Sequence, residues 1–192
     1  MSIVNRRDFL ARTAGCAAAT LLLGSETAGA SDQSSANGVP SPLDSGKDLP
    51  ESAVLSNGDV KTHLLVFRTG QEVMKGLRAF AQKHKLAAGY VSGIGAISDA
   101  VIGYFDPETN IYLRNHEKGQ AELLSLTGNL ALYNNEPFFH VHVALGLREG
   151  TARGGHLFEA TVRPTVEVVL TTLSTPVHRK IDRATGLPLL NL

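Results

Sequence analysis

The chain has 192 residues, with 18 basic and 18 acidic side chains, one cysteine and no tryptophan. Such an even balance is the wrong one for a protein held on nucleic acid by phosphate charge, and the single thiol, Cys16, excludes an intrachain disulfide framework. No run of about 20 uninterrupted apolar residues marks a lasting membrane span.

Residues 1–30 read as a targeting peptide. The pair Arg6-Arg7 is followed by Phe9 and Leu10, then by an apolar stretch rich in Ala and Leu that ends near Gly24. Ala28-Gly29-Ala30 places small residues where a signal peptidase accepts them. Twin arginine with Phe and Leu resembles the Tat export signal, which implies a periplasmic or secreted protein. Removing this segment takes away Arg6, Arg7, Arg12, Asp8 and Glu26, and leaves 15 basic and 16 acidic residues and no cysteine. Residues 31–59 follow, polar at first and rich in Ser, Gly and Pro. They offer too little apolar area to offset chain entropy, so they are expected to form a flexible linker. The folded domain then spans 60–192.

"THLLVFR" has the apolar density of a first strand. The period then changes: Val73, Met74, Leu77, Phe80 and Ala81 line one face of a helix over about 70–85. Thr69 and Glu72 have the spacing of a capping box, and Lys83, His84 and Lys85 close the last turn, where cations suit the helix dipole. Strand patterns occupy most of the rest. "AAGYVSGIGAI" is bent by Gly93 and Gly95, and "DAVIGYFD" and "IYLRN" flank the turn "PETN". "AELLSLTGNLALYNN" carries Gly128, a bulge or a point of close approach. "FFHVHVALGLR" and "GGHLFEATV" flank a tight turn, Pro164 separates the latter from "TVEVVLTTL", and the tail ends in one short strand. These elements predict an α+β fold, with a mainly antiparallel sheet of about seven strands and one main flanking helix.

The chemistry concentrates in Phe138 to Val162, "FFHVHVALGLREGTARGGHLFEATV". Side chains alternate along a strand, so His140 and His142 share one face with Ala144 and Gly146, while Phe139, Val141, Val143 and Leu145 take the apolar face. Two imidazoles at that spacing converge on one ion, and neutral imidazole is a good zinc ligand. The third candidate is His156, whose face depends on the turn. A two-residue turn at Glu149-Gly150 sets it opposite Val143, on the wrong face. A three-residue loop from Glu149 to Thr151 sets it opposite Ala144, on the histidine face beside His142; Gly150 fits the left-handed position of such a loop. A bulge at Gly154-Gly155 is the other way to bring it round. His63, His84, His116 and His178 are scattered and read as surface or cap residues. Glu122, Glu136, Glu159 and Glu167 are the acidic residues available as a general base, and the sequence selects none of them.

"GQEVMKGLRAFAQKH", "YVSGIGAISDAVIGYF", "ELLSLTGNLAL", "HVHVALGLREGTARGGHLFEATV" and "VEVVL" occur in an order that resembles the PPC (plants and prokaryotes conserved) domain, over roughly residues 60–182. The resemblance implies a fold with a mainly antiparallel sheet and flanking helices, assembly as a homotrimer, and a metal site, zinc being the expected ion, at His140, His142 and His156. It implies a stand-alone prokaryotic type, and a three-histidine zinc site with a fourth position open suits the binding or processing of a small molecule. Two alternatives accompany it: DNA binding, a label that travels with the family, and a structural trimer without catalysis. The R-G-R-P hook of plant members is missing from this chain, and the export signal places the domain away from the chromosome; both argue against nucleic acid as a partner.

Overall fold

In the computed structural model, residues 47–56 and 58–191 are described. The targeting peptide read over 1–30 and the linker residues 31–46 lie outside them. The elements in chain order are β1 (Glu51–Ser56), β2 (Val60–Arg68), α1 (Val73–Lys83), β3 (Ala88–Asp106), β4 (Ile111–Tyr133), β5 (Glu136–Gly146), β6 (Ala152–Leu173), β7 (His178–Ile181) and β8 (Pro188–Asn191). The α+β expectation holds: one helix stands among eight described strands, and all pairings are antiparallel except a single bridge between β4 and β7.

α1 forms because its apolar residues recur at helical spacing. Val73, Met74, Leu77, Phe80 and Ala81 are all buried, as is Gly76. Leu77 and Phe80 are almost fully enclosed, each contributing about 2 kcal/mol of apolar burial. The start of the helix differs from expectation. Thr69 is not the cap; Glu72 is, and its own carboxylate accepts from Met74 N and Lys75 N. The chain is still extended at Glu72, which bridges to Thr161 of β6, so the helix begins later than the Thr69 spacing implies. At the other end His84 is the C-cap and Lys83 sits in the last turn, as expected.

The strands are fewer and longer around the site than the sequence pattern suggests. "AAGYVSGIGAI" and "DAVIGYFD" merge into β3, which bends through register shifts at Gly93/Gly95 and Ile97/Asp99 rather than ending there. β4 likewise absorbs "IYLRN" and "AELLSLTGNLALY". Pro164, expected to separate two strands, lies inside β6. It falls between the pairs Ile97↔Val162 and Gly95↔Val166, at a register shift where its missing N–H costs no ladder bond. The linker reading is also corrected over its last part: Glu51–Ser56 form β1, paired to the edge of β2. Its side chains that are described are exposed, so backbone hydrogen bonds rather than an apolar pattern hold it. The tail contains two short strands, β7 and β8, not one. His63 is not a surface residue; it is 6% exposed and packs edge-on against Phe80 at 5.3 Å.

The sheet runs β1-β2-β6-β3-β4-β7-β8, and β5 pairs with both β4 and β6, so β3, β4, β5 and β6 close on themselves. α1 belongs to the core cluster that includes Leu65, Phe67, Val91, Val168 and Leu170. The opposite face bears Tyr90, Ile94, Val169 and Leu173 in the open. Tyr90, Asn129 and His140 form one cross-strand row on it, and Tyr90 Oη lies 3.0 Å from Thr127 Oγ1, the residue paired with His142.

Candidate metal centre

β5 places His140 and His142 as alternation requires. Phe139, Val141, Val143 and Leu145 are buried, while His140 is half-buried and His142 exposed on the other side. The hairpin to β6 is closed by a three-residue loop, but one residue earlier than expected. Leu147 N donates to Thr151 O at 2.9 Å and Gly150 N to Leu147 O at 2.9 Å, which leaves Arg148, Glu149 and Gly150 as the loop. Gly150 has φ +83°, the left-handed residue that such a loop needs. The shift moves His156 from opposite Ala144 to opposite His142 itself, and the face is unchanged because the displacement is two residues. No bulge is used: Val143↔Gly155 and Ala144↔Gly154 continue the same register. The paired glycines serve close approach instead. A Cβ on Gly155 would lie 2.4 Å from Gly103 O, and one on Gly154 2.6 Å from Val143 O.

The three rings meet at centroid distances of 5.0 Å (His140–His142), 5.2 Å (His140–His156) and 5.6 Å (His142–His156). One ligand nitrogen from each lies within 4.8 Å of the others. The Nε2 atoms of His140 and His142 are 3.1 Å apart, close to the separation of about 3.3 Å that two nitrogens take on tetrahedral zinc. His156 is 8% exposed, with its ring between Tyr112 at 5.0 Å and Phe158 at 4.9 Å. Its Nδ1 is buried and has no hydrogen-bond partner. A buried polar atom left without a partner is costly, and an ion or ligand is one way to satisfy it. Burial, then the neighbouring imidazoles, then Arg179 hold both inner rings neutral: His140 falls to about 4, and His156, with Arg114 also near, to about 3. Neutral nitrogens, an aromatic wall and an orphaned Nδ1 all fit a soft-to-borderline divalent metal. No Asp, Glu or Cys joins the three histidines among the described residues. Of the proposed bases, Glu136 accepts from Gln82 Nε2 at 3.0 Å, and neither it nor Glu122, Glu159 or Glu167 enters the cluster.

The remaining histidines stay apart from the site. His116 bonds Asp99 at 3.0 Å on the surface, His84 caps α1, and His178 is exposed. Sequence reasoning missed Arg179, which is buried beside the cluster and donates to Asn129 Oδ1 and, at 2.8 Å, to Pro188 O. Nothing in "VHRKIDR" marks it, because its neighbours come from β4 and β8. The motif S-L-T-G-N did carry a signal: Thr127 pairs with His142, Gly128 with Val141 and Asn129 with His140. A Cβ on Gly128 would lie 2.1 Å from His140 O. Gly128→Ala is therefore expected to force β4 from β5 and cost about 3 kcal/mol. A chemical denaturation midpoint within error of the parent would contradict this.

A pH dependence follows from the two depressed rings. Unfolded histidine titrates near 6.5, and the folded rings at about 4 and 3, so the unfolded state binds more protons between these values. Stability of the metal-free protein is full above about pH 6.5 and is lost as pH falls toward 4. Melting in EDTA from about pH 7 to 4 should show this decline, shallower in His156→Ala; equal slopes would remove the buried rings as its cause.

The description Plants and Prokaryotes Conserved (PCC) domain matches residues 55–174. Solved structures similar to this chain include a plant- and prokaryote-conserved protein from Pyrococcus horikoshii, 34% identical, with TM-score 0.65, covering 74% of this chain and 95% of that one. A metal-containing protein from Archaeoglobus fulgidus is also 34% identical, with TM-score 0.65, covering 75% and 99%. A candidate DNA-binding protein from Bacteroides thetaiotaomicron is 26% identical, with TM-score 0.68, covering 73% and 96%. Among curated proteins, none matches. The chain belongs to the Plants and Prokaryotes Conserved (PPC) domain family, with three of its histidines drawn together on the open face of the sheet.

Proposed function

We propose that this chain is an exported PPC-domain protein that holds zinc on His140, His142 and His156 and binds a small molecule there. The observation that carries the reading is the convergence of three imidazoles on the helix-free face, with the buried Nδ1 of His156 left without a partner. The similar Archaeoglobus fulgidus protein is described as metal-containing, which supports the same reading. His140, His142 and His156 would hold the ion, and the chemistry it would supply there is Lewis-acid polarisation of a water or a ligand oxygen. Elemental analysis of the purified protein should give close to one zinc per chain; less than about 0.1, unchanged in His140→Ala, would sink the reading.

A homotrimer fits the exposed apolar row of Tyr90, Ile94, Val169 and Leu173, which a neighbouring copy would cover. Light scattering should return the mass of three chains, and Ile94→Asp should lower it; a monomeric parent would overturn this part. Export by the Tat-like signal predicts a periplasmic or secreted form that lacks residues 1–30, visible by mass spectrometry of the exported fraction. DNA binding, the description carried by the Bacteroides thetaiotaomicron protein, is disfavoured here by an even charge. A low-salt gel shift of micromolar affinity that falls steeply with salt would reverse that judgement.

A further inference from the structure

We propose that Arg179 is the anion-recognition residue of the histidine site, and that the site takes a small carboxylate with an apolar body. The proposal rests on the metal reading above and names the ligand class for it. Arg179 comes from β7, C-terminal to residues 55–174 that the family description matches. The β7–β8 hairpin is tied to β4 through Leu132 N and Val177 O at 2.8 Å, which brings the arginine over the Phe138 ring at 5.1 Å.

Arg179 is 7% exposed, and its two hydrogen bonds go to neutral acceptors, Pro188 O and Asn129 Oδ1. Nε is buried without a partner. A guanidinium offers five N–H donors, so most of the fork is unused. Among the described residues no carboxylate forms an ion pair with it. A buried charge without a counter-ion is unfavourable, and here burial lowers the arginine's pKa with no acidic neighbour to offset it. The missing negative charge is what a ligand would bring. Arg179 shares a solvent-open cleft with His140 and His156. Its positive field opposes a bare cation on those rings, and an anion bound to both metal and guanidinium would relieve that opposition. The other walls are apolar: Tyr112, Phe138, Leu187 and Leu189. One planar fork against such walls suits a carboxylate on a hydrophobic body, whereas the extra oxygens of a phosphate would face apolar side chains.

The test titrates benzoate, and separately inorganic phosphate, into the zinc-loaded and the chelator-treated full chain, for the parent and for Arg179→Gln and Arg179→Lys, with zinc affinity measured on the same samples. Benzoate is expected to bind the parent and to weaken at least about tenfold in Arg179→Gln, while zinc affinity stays equal or rises because a repelling charge is gone. Opposite signs separate recognition from structural damage, which would weaken both. Arg179→Lys keeps the charge but loses the fork, and a similar benzoate loss is expected; it decides the matter if the Gln variant does not fold. Benzoate binding that is absent in the parent, unchanged in both variants, or replaced by Arg179-dependent phosphate binding overturns the proposal. Failure of zinc to bind, with benzoate still held in an Arg179-dependent way by chelator-treated protein, would overturn the metal reading and leave the carboxylate site standing.

Discussion

His156→Ala is expected to weaken zinc binding by about a thousandfold, roughly 4 kcal/mol, because it removes one of three neutral donors and leaves a two-histidine pair. Zinc at about a hundred times its Kd should stabilise the parent by about 2.7 kcal/mol, or roughly 5–10 °C in Tm, and should leave the variant unmoved. Without metal the variant changes little. It loses ring contacts with Tyr112 and Phe158 but also removes a buried Nδ1 that had no partner, so a net cost of about 1 kcal/mol is expected. That asymmetry makes the experiment decisive: a structural histidine would show its whole effect in EDTA, whereas a ligand shows most of its effect only with zinc present. His116→Ala is the control, since His116 bonds Asp99 far from the cluster in sequence and takes no part in it. Equal zinc-induced shifts in parent and His156→Ala would overturn the site.

The histidine face was legible because period-two alternation is a local property. His140 and His142 needed only the buried run Phe139, Val141, Val143 and Leu145 to be placed. His156 needed the turn, and the parity of a three-residue loop was enough to assign its face although the loop lies at Arg148–Gly150. What could not be read was non-local. β1 has no apolar pattern, since it adds to an edge through its backbone. β3 runs on through Gly93 and Gly95, where the backbone of β6 lies too close for a Cβ, and the close approach depends on a strand far away in sequence. Arg179 and Asn129 are 50 residues apart and meet only because β7 joins β4. The Thr69 spacing failed for a related reason: the backbone stays extended to Glu72 so that it can bridge β6.

Glu72→Ala should be among the most damaging single changes outside the apolar core, at about 3 kcal/mol, or roughly 10 °C in Tm. One carboxylate serves three backbone donors: Oε1 accepts from Met74 N and Ala160 N, each at 2.9 Å, and Oε2 from Lys75 N at 2.6 Å. Alanine leaves all three without that acceptor and removes the side-chain tie from the start of α1 to Ala160 of β6, the strand that carries His156. Glu72 N also donates to Asp48 Oδ1 at 2.8 Å, so the same residue anchors the segment before β1. Burial raises the Glu72 pKa despite the three bonds. The folded state therefore holds this proton more tightly than the unfolded state. Its contribution to stability grows as pH falls through the raised value and shrinks as pH rises, the opposite sign to that of the histidines. Glu72→Gln carries no charge to bury, yet it turns an amide NH₂ toward one of the donors. A loss of about 1 kcal/mol is expected near neutral pH, with the gap to the parent widening as pH falls toward about 4.5, the ordinary value for this carboxyl. Thermal melts across that range in EDTA measure it. A gap that narrows instead would mean that Glu72 is stabilised as the anion, with its three hydrogen bonds outweighing burial.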